Sequence, residues 1–343
     1  MQVTTIGLDL AKNVFQAHGI DEQGNVVITR QLRRTQMIAF FRKLPSCLIG
    51  MEACATAHHW GRELTALGHS VRLIPPSYVK AYVRRSKNDA ADAAAICEAV
   101  TRPSMRFVPI KTVDQQAALA LHRTRDLLIR QRTQLINALR AHLAEIGVVA
   151  ATGIEGMKTL CEIVTDPAKS KLLPATMKTA LQPLVLQIEA LSGEIGQLER
   201  AIHILHRANE VSQRLESIPG IGVLGATALT MIITNPFLFK SGRELAAWIG
   251  LVPRQNSTGG KTRLGGISKQ GDRYLRRLLI IGATAVIRHA RTRPEKFPWL
   301  IKLLAKKPVK LVAVALANKM VRIAWVLLVR GGTYQRSELA KAA

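Results

Sequence analysis

The 343-residue chain carries 49 Lys and Arg residues against 23 Asp and Glu, which gives a formal net charge of +26 at neutral pH. This length allows two or three domains, and a hydrophobic content of 48% is enough for each to bury a core. A disordered chain is therefore excluded. The charge exceeds what solubility requires and indicates a polyanionic partner such as nucleic acid. Residues 213–343 alone hold 23 basic and 5 acidic residues, which favours a phosphate-contacting surface.

Other classes of protein fit this composition less well. Aromatic residues make up only 4% of the chain, fewer than a membrane-surface protein needs as anchors. The longest apolar stretch, 309–329, is interrupted by Lys319 and Arg322, so we expect a buried or amphipathic helix there. The first residues lack a signal-peptide pattern, and the four scattered cysteines form no C-x-x-C pair for zinc. We expect a cytoplasmic protein with no membrane partner.

The first 110 residues alternate between strand and helix patterns. Strands are predicted at 2–9, 13–20, 25–32, 47–51 and 70–74, and helices at 35–44 and 56–67. An Ala-rich helix is predicted over 87–100, with Asn88 or Asp89 as its N-cap. This alternation predicts an α/β domain over residues 1–110.

Long helical patterns dominate residues 111–213. One helix is predicted from 115 to 146. A second has apolar residues at alternating steps of three and four, the spacing of a coiled coil, at positions 181, 184, 188, 191, 195, 198, 202 and 205. We expect a helical arm whose two helices pack on each other within one chain, dimerise, or do both. Residues 153–174 are expected to form an irregular bridge between them.

Residues 214–335 are predicted to form a compact α-rich domain, followed by a tail at 336–343. Helices are predicted at 224–233, 241–249, 272–289 and 309–329. The segment LESIPGIGVLGATAL, residues 215–229, is similar to a helix-hairpin-helix element. Its Gly220 and Gly222 would let backbone N–H groups face a phosphate. A simple Pro-Gly turn between helices is the alternative.

The segment after it is rich in glycine and basic residues, and alone it is typical of a flexible phosphate-binding loop. Ser257, Thr258 and Ser268 are its candidate hydroxyl groups, although a serine without a neighbouring base is rarely a nucleophile. The predicted nucleic-acid contacts here are Arg254, Lys261, Arg263, Lys269, Arg273, Arg276 and Arg277.

Four carboxylates are placed for chemistry. Asp9 ends the first predicted strand, and Glu52 follows the apolar run LIGM at the end of another. A carboxylate in such a place requires a metal, a salt-bridge partner or an exposed end, and all three are open for Asp9 and Glu52. Asp89 and Asp92 lie three residues apart, on one face of the Ala-rich helix. An isolated pair of this kind is better explained by the helix dipole, but the combination with Asp9 and Glu52 favours a cation. Carboxylate oxygens suit Mg²⁺ or Mn²⁺, which assist phosphoryl transfer.

Sugar kinases and related ATPases also begin with an Asp-bearing strand and a β-hairpin. They need further glycine-rich phosphate loops, and the only suggestive segment here is residues 259–262. It lacks the leading glycine of a Walker A motif because Gln255 occupies that position. The kinase interpretation is therefore weaker.

Five segments, taken in this order, closely resemble the DEDD transposases of the insertion-sequence "one-ten" family, particularly its "eleven-eleven" subgroup, which is related to Piv-type DNA invertases. They are GLDLAK, GMEACATAHHW, KNDAADA, ESIPGIG and PRQNSTGGKTRLGGISKQGDRYLRR, and the resemblance runs from residue 2 to about residue 330. It implies a RuvC-like, RNase H-like N-terminal domain whose catalytic, metal-binding tetrad maps onto Asp9, Glu52, Asp89 and Asp92. It also implies a catalytic serine at Ser257, with Thr258 as the adjacent alternative.

The resemblance further implies a recombinase in which Ser257 forms a covalent link to DNA while the metal-bound tetrad polarises the phosphate. Family members are guided by a structured non-coding bridge RNA that pairs with donor and target DNA, and their homodimers assemble into tetramers. Two other classes stay open from the residues themselves. One is a metal-dependent, structure-specific endonuclease similar to Holliday-junction resolvases, and the other is a nucleic-acid-binding protein without chemistry.

Overall fold

The computed structural model describes residues 2–83 and 88–335. The chain divides into two compact units, Met1–Asp114 and Gln115–Ala343. The predicted three-part division at residues 110 and 213 is finer than this and stays a prediction. Lys87, the first residue of a predicted helix, and the predicted tail lie outside the described residues.

A mixed five-stranded sheet forms the centre of the first unit, in the order β3-β2-β1-β4-β5. Its strands are β1 (Thr5–Asp9), β2 (Val14–Ile20), β3 (Val26–Arg33), β4 (Leu48–Glu52) and β5 (Ser70–Ile74). The first three form an antiparallel meander, whereas β4 runs parallel to β1 and β5 parallel to β4. The predicted α/β class and the five predicted strands are confirmed.

In the described part of this unit, four α-helices accompany the sheet: α1 (Met37–Arg42), α2 (Ala57–Ala66), α3 (Pro76–Val79) and α4 (Asp89–Val100). Asn88 is the N-cap of α4, since its side chain accepts a hydrogen bond of 2.7 Å from the backbone N–H of Ala91. Of the two predicted caps, the structure therefore has Asn88.

Side-chain alternation gives the sheet two different faces. Ile6 and Leu8 of β1 are fully buried in a core that also contains Phe41 of α1 and Leu64 of α2. Because successive side chains of a strand point to opposite faces, Gly7 and Asp9 belong to the other face. That face is covered by α4, whose small residues pack directly on β1.

The second unit is almost entirely helical, and α5 begins just before the boundary between the units. Its helices are α5 (Val113–Ala144), α6 (Ile154–Thr165), α7 (Ala175–Arg207), α8 (Glu210–Glu216), α9 (Val223–Ile232), α10 (Gly242–Ile249), α11 (Arg273–Thr292), α12 (Pro298–Leu304) and α13 (Val309–Arg330). Two short strands, β6 (Pro253–Gln255) and β7 (Leu264–Ile267), form an antiparallel pair between α10 and α11.

The two long helices α5 and α7 pack antiparallel within one chain. Near one end Arg125 forms an ion pair with Glu199, at 2.8 Å from its Nε, and further along Arg132 donates to the Ser192 hydroxyl at 3.2 Å. At the other end Leu139 and Leu181 share a buried core. The two helices of the arm therefore pack on each other within one chain, as one of the two interpretations predicted. Dimerisation through the arm stays a prediction.

The expectation of an irregular bridge over residues 153–174 is wrong, because α6 occupies its first half. Leu160, Cys161 and Val164 of α6 are buried in the core shared with α5 and α7. Their spacing of one, three and four residues places them on one face of a helix. Tertiary burial of this face stabilises a helix that was too short to stand out in the sequence.

Helix α13 is long and apolar enough to cross a membrane by length and composition, and 44% of its most apolar window is buried inside the fold. Its buried residues include Val312, Leu316, Met320 and Ala324, which recur every four residues. They lie in the main core of the second unit together with residues of α8 to α12. Buried core helices also meet this criterion of length and apolar composition, so the criterion alone does not make α13 a membrane span.

Candidate active site

The sheet places Asp9 and Glu52 next to each other. Strands β1 and β4 pair in parallel up to Leu8 and Met51, and the following residues are Asp9 and Glu52, the last of each strand. Both side chains belong to the face covered by α4, by the same alternation that places Gly7 and Gly50 there. The two carboxylates therefore reach the carboxyl edge of the sheet on the side of α4.

Helix α4 supplies the other two carboxylates from its first turn. Asp89 and Asp92 are its first and fourth residues, next to the N-cap Asn88. The helix lies very close to the sheet because the facing strand positions have no side chain. A Cβ atom at Gly50, for example, would come 2.7 Å from the Cβ of Val100.

Three of the four predicted carboxylates converge. One carboxylate oxygen each from Asp9, Asp89 and Asp92 lies within 4.8 Å of the other two. Asp9 and Asp92 are half-buried, and Asp89 is exposed. Glu52 is not part of this group, but its negative charge acts on Asp9. The role of Glu52 as a fourth ligand stays a prediction.

The environment of Asp9 disfavours its ionised form. Burial, followed by the charges of Asp92, Asp89 and Glu52, raises the pKa of Asp9 from 3.8 to about 6, against a hydrogen bond from the backbone of Leu10. Like charges this close repel one another unless a cation lies between them. Hard oxygen donors in this arrangement fit a divalent ion such as Mg²⁺ or Mn²⁺.

Ser257 lies on a β-hairpin between β6 and β7, where the sequence predicted a loop. Strands β6 and β7 flank a tip in which the backbones of Thr258 and Lys261 exchange hydrogen bonds of 3.3 and 3.0 Å. Gly259 and Gly260 form the turn with φ of +53° and +75°. Two consecutive positive φ values suit a tight hairpin turn and favour glycine. This hairpin, residues 253–267, presents Ser257 and Thr258 to solvent.

The Ser257 hydroxyl is held by two donors. Its oxygen accepts hydrogen bonds from the side-chain amide of Gln255 at 3.0 Å and from the backbone N–H of Arg263 at 3.3 Å. Neither group can take a proton from the hydroxyl. Both position the oxygen, and activation of a nucleophile here would require a further group.

The seven predicted basic contacts differ in exposure: five are exposed, and Arg276 and Arg277 are not. The exposed ones are Arg254, Lys261, Arg263, Lys269 and Arg273. Arg277 is half-buried, forms an ion pair with Asp126, and stacks its guanidinium over Tyr274 at 5.3 Å from the ring centre.

Arg276 is buried with 8% of its surface exposed, and its guanidinium donates to the carbonyl oxygens of Ile249 and Gln270. Burial lowers its pKa. Its donors are directed at the end of α10 and the loop before α11, so the structure gives Arg276 a packing role instead of a surface contact.

Gly220 and Gly222, the glycines of the predicted helix-hairpin-helix element, differ in their surroundings. Gly220 has φ of +91° and packs on α11, since a Cβ there would lie 3.0 Å from the carbonyl oxygen of Gly282 and 2.9 Å from the Met320 side chain. Gly222 is exposed and is the N-cap of α9. Packing alone therefore explains Gly220, and a phosphate contact of Gly222 stays a prediction.

Sequence reasoning missed Gly7 and Gly50, which let α4 approach the sheet. The available signal was a glycine inside each of two predicted strands, because such a glycine often marks the close approach of another backbone. The small residues of the sequence DAADAAAICEA in α4 are the matching signal on the helix.

Comparison with known proteins gives two matching families and relatives over nearly the whole chain. The Transposase IS116/IS110/IS902 family matches residues 212–297, and the DEDD-type transposase family of IS110 matches residues 6–148. The chain is 50% identical over 339 residues to the "Probable family 20 transposase" of Pseudomonas aeruginosa, covering 98% of this chain and 99% of that protein.

Two further relatives show the range of the similarity. The transposase for insertion sequence element IS1111A of Coxiella burnetii is 41% identical over 334 residues, covering 97% of this chain and 92% of that protein. The pilin gene-inverting protein of Moraxella bovis is 23% identical over 355 residues, covering 96% of each chain. The tetrad and Ser257 fall within the two matched family regions. The chain belongs to the IS110/IS116 family of transposases.

Proposed function

We propose that this transposase moves an insertion sequence by site-specific cleavage and rejoining of DNA, with a divalent metal held by Asp9, Glu52, Asp89 and Asp92 and with Ser257 as the nucleophile. The observation that carries the proposal is the convergence of Asp9, Asp89 and Asp92 within 4.8 Å at the edge of the sheet. The mixed sheet, a meander followed by two parallel strands, supports an RNase H-like catalytic domain.

The geometry of the acidic group supports a metal site. Oxygen ligands of an octahedral Mg²⁺ ion lie about 2.1 Å from the metal, and hence roughly 3–4 Å from one another. The three oxygens lie within 4.8 Å of one another, so small side-chain rotations would bring them to that spacing. The bound ion would supply Lewis-acid polarisation of a phosphate oxygen. The residues of α4 and β1 would fix where that phosphate lies.

Ser257 would carry out the exchange of bonds. Its oxygen attacks the phosphorus, the bond from phosphorus to the leaving sugar oxygen breaks, and that oxygen takes up the proton that serine loses. In rejoining, a strand hydroxyl attacks the same phosphorus, the bond to serine breaks, and the serine recovers a proton. The covalent intermediate retains the energy of the broken diester, so no external cofactor is consumed.

The same proposal includes a structured non-coding RNA that guides the enzyme to donor and target DNA, homodimers that assemble into tetramers, and action in the cytoplasm. The charge of +26 supports nucleic-acid partners. The long α5–α7 arm offers an extended surface for self-association, with Leu186 and Ile204 of α7 exposed at 56% and 65%.

A covalent adduct is the decisive test. The full chain is incubated with Mg²⁺, a plasmid that carries the element with its flanking DNA, and RNA transcribed from those flanks, then denatured to detect protein attached to labelled DNA. We expect an adduct with the natural chain and with Thr258→Ala, and none with Ser257→Ala. Asp9→Asn should lose both the adduct and the cleavage.

Each alternative predicts a different result. An adduct that persists in Ser257→Ala would refute the serine nucleophile. Cut ends without any adduct would support a structure-specific endonuclease in which water attacks. Binding without cutting would support a nucleic-acid-binding protein without chemistry.

A further inference from the structure

The second unit contains a groove whose lining residues have no role in the proposed reaction. It is formed by the start of α10, the start of α12 and the exposed side of α13, and its volume is about 790 Å³. Arg243, Trp299, Asn318, Lys319 and Arg322 contribute to its lining. A concave site of this size is large enough for a nucleotide.

The charge of the groove is of one sign. Three of its lining residues, Arg243, Lys319 and Arg322, are cations, and none of the described residues that line it is acidic. All three are exposed. The close approach of α10 to α13 brings them together, since a Cβ at Gly242 would lie 2.9 Å from the Cα of Arg322. The groove is therefore suited to an anionic ligand with more than one charge, such as a phosphodiester chain.

The groove also presents an aromatic surface. Trp299 is 44% exposed, which is unusual for so large an apolar side chain. The ammonium group of Lys319 lies 4.4 Å from the centre of its ring. Trp325, a second lining residue, donates a hydrogen bond of 3.2 Å from its Nε1 to the carbonyl oxygen of Pro236. A cationic groove with an exposed indole can hold a phosphate and stack a base at the same time.

We propose that this groove binds unpaired nucleotides of a single-stranded nucleic acid, with a base stacked on Trp299 and the flanking phosphates on Arg243 and Arg322. Stacking requires the open face of a base, which a continuous duplex does not offer. The inference goes beyond the proposed reaction. The groove includes the first residues of α10, whereas the Ser257 hairpin follows its last residue, so a helix of about 12 Å separates the two.

Binding of matched oligonucleotides tests the stacking. The full chain and Trp299→Ala are titrated with labelled single-stranded RNA, single-stranded DNA and duplex DNA of the same sequence. We expect Trp299→Ala to weaken single-strand binding about tenfold and to leave duplex binding unchanged, with Trp299→Phe in between. Trp248→Ala is the control, since Trp248 is 36% exposed and does not line the groove.

The two single-stranded probes distinguish the source of the nucleotide. A loss confined to RNA assigns the groove to an RNA partner, a loss confined to DNA assigns it to a displaced DNA strand, and a loss in both supports a site that accepts either. Equal weakening of all three probes, or no weakening of any, would overturn the proposal.

Two measurements do not depend on the tryptophan variant. The salt dependence of single-strand binding should fall by about 0.7 in logarithmic slope in Arg322→Gln, and not in Lys310→Gln, an exposed cation of the same helix outside the lining. In the natural chain, ultraviolet crosslinking to bromouracil-substituted RNA or DNA should label the tryptic peptide at 297–302, which contains Trp299. An unchanged slope or an unlabelled peptide would contradict the site.

Discussion

Gly7 of β1 lies directly against Ala93 of α4. A Cβ atom added at Gly7 would come 2.1 Å from the carbonyl oxygen of Ala93 and 2.4 Å from the backbone nitrogen of Cys97. Two residues along β1 is Asp9, and one residue before Ala93 is Asp92. The absence of a side chain at Gly7 therefore sets the distance between the two elements that bring the carboxylates together.

Gly7→Ala should separate α4 from the sheet. The new methyl group meets backbone atoms, which cannot rotate away, so we expect a loss of about 1–3 kcal/mol in the free energy of unfolding. Binding of Mn²⁺ should weaken as the carboxylates move apart. Thermal denaturation and calorimetric titration with Mn²⁺ measure the two effects.

Gly193→Ala is the matched control for this substitution. Gly193 lies in α7, and apart from the backbone of its own helix no atom of the described residues lies within 4 Å of an added Cβ. Alanine there should stabilise the helix by roughly 0.5–1 kcal/mol. A Gly7→Ala variant with unchanged stability and unchanged Mn²⁺ affinity would contradict this account of the site.

Local patterns were sufficient to predict the sheet and much of the acidic site. Alternation with a period of two identified the strand that ends in Asp9, and a continuous apolar run identified the strand before Glu52. The three-residue spacing put Asp89 and Asp92 on one helix face. The contact of Gly7 with α4 could not be read from such patterns, because it joins residues 86 positions apart in sequence. Packing between distant segments has no local period.

The missed elements have a similar explanation. Helix α6 is stabilised by burial against two other helices, and the Ser257 hairpin depends on cross-strand hydrogen bonds between residues such as Asn256 and Arg263. Arg276 was predicted to be a surface contact because its sequence neighbours are basic. Only the fold shows that its guanidinium is directed inward to two carbonyl groups.

Removing one charge from the acidic group should have opposite effects with and without metal. Asp9→Asn relieves burial of a charge and repulsion, so we expect the metal-free variant to be more stable than the natural chain by roughly 1–3 kcal/mol. Excess Mg²⁺ should raise the melting temperature of the natural chain but not of Asp9→Asn, because the variant lacks one ligand. Thermal denaturation in chelator and in Mg²⁺ measures both.

Glu98→Gln serves as the control for charge alone. Glu98 is an exposed acid of α4 that pairs with Arg102, and its removal should change stability by less than about 1 kcal/mol. Mg²⁺ should still raise the melting temperature of this variant. An equal response to Mg²⁺ in Asp9→Asn and in the natural chain would show that the carboxylates do not hold the ion.

Arg273 and Arg276 provide a paired test on one helix. Arg273 is exposed at the start of α11, whereas Arg276 is buried and bonded to carbonyl groups. Arg276→Ala should lose about 1.5–3 kcal/mol of stability. Arg273→Ala should keep its stability but weaken DNA binding, with a salt slope reduced by about 1. Denaturation and binding at several salt concentrations measure both, and the reverse pattern would contradict the assignment.

A buried polar network in the second unit makes stability depend on pH. His122 of α5 is 1% exposed and lies 3.0 Å from the hydroxyl of Tyr274 and 3.1 Å from that of Thr227. Because the Thr227 hydroxyl donates to the carbonyl oxygen of Val223 at 2.7 Å, it accepts from the imidazole Nε2–H. Burial of the ring favours the neutral imidazole, in which Nδ1 accepts from the Tyr274 hydroxyl.

Burial, followed by the charge of Arg125, lowers the pKa of His122 from 6.5 to about 4 in the folded chain. Between these values the unfolded chain binds a proton that the folded chain does not, so stability rises with pH in this window. The stabilising contribution of neutral His122 is complete above about pH 6.5 and is lost as the pH falls toward 4. The total loss in the free energy of unfolding is at most about 3 kcal/mol.

In denaturant titrations from pH 5 to pH 8, His122→Gln should be less stable than the natural chain at pH 8, and the difference in stability should narrow toward pH 5. His142→Gln, an exposed histidine of the same helix, should follow the natural curve. A His122→Gln curve parallel to the natural one at every pH would show that this imidazole is not the titrating group.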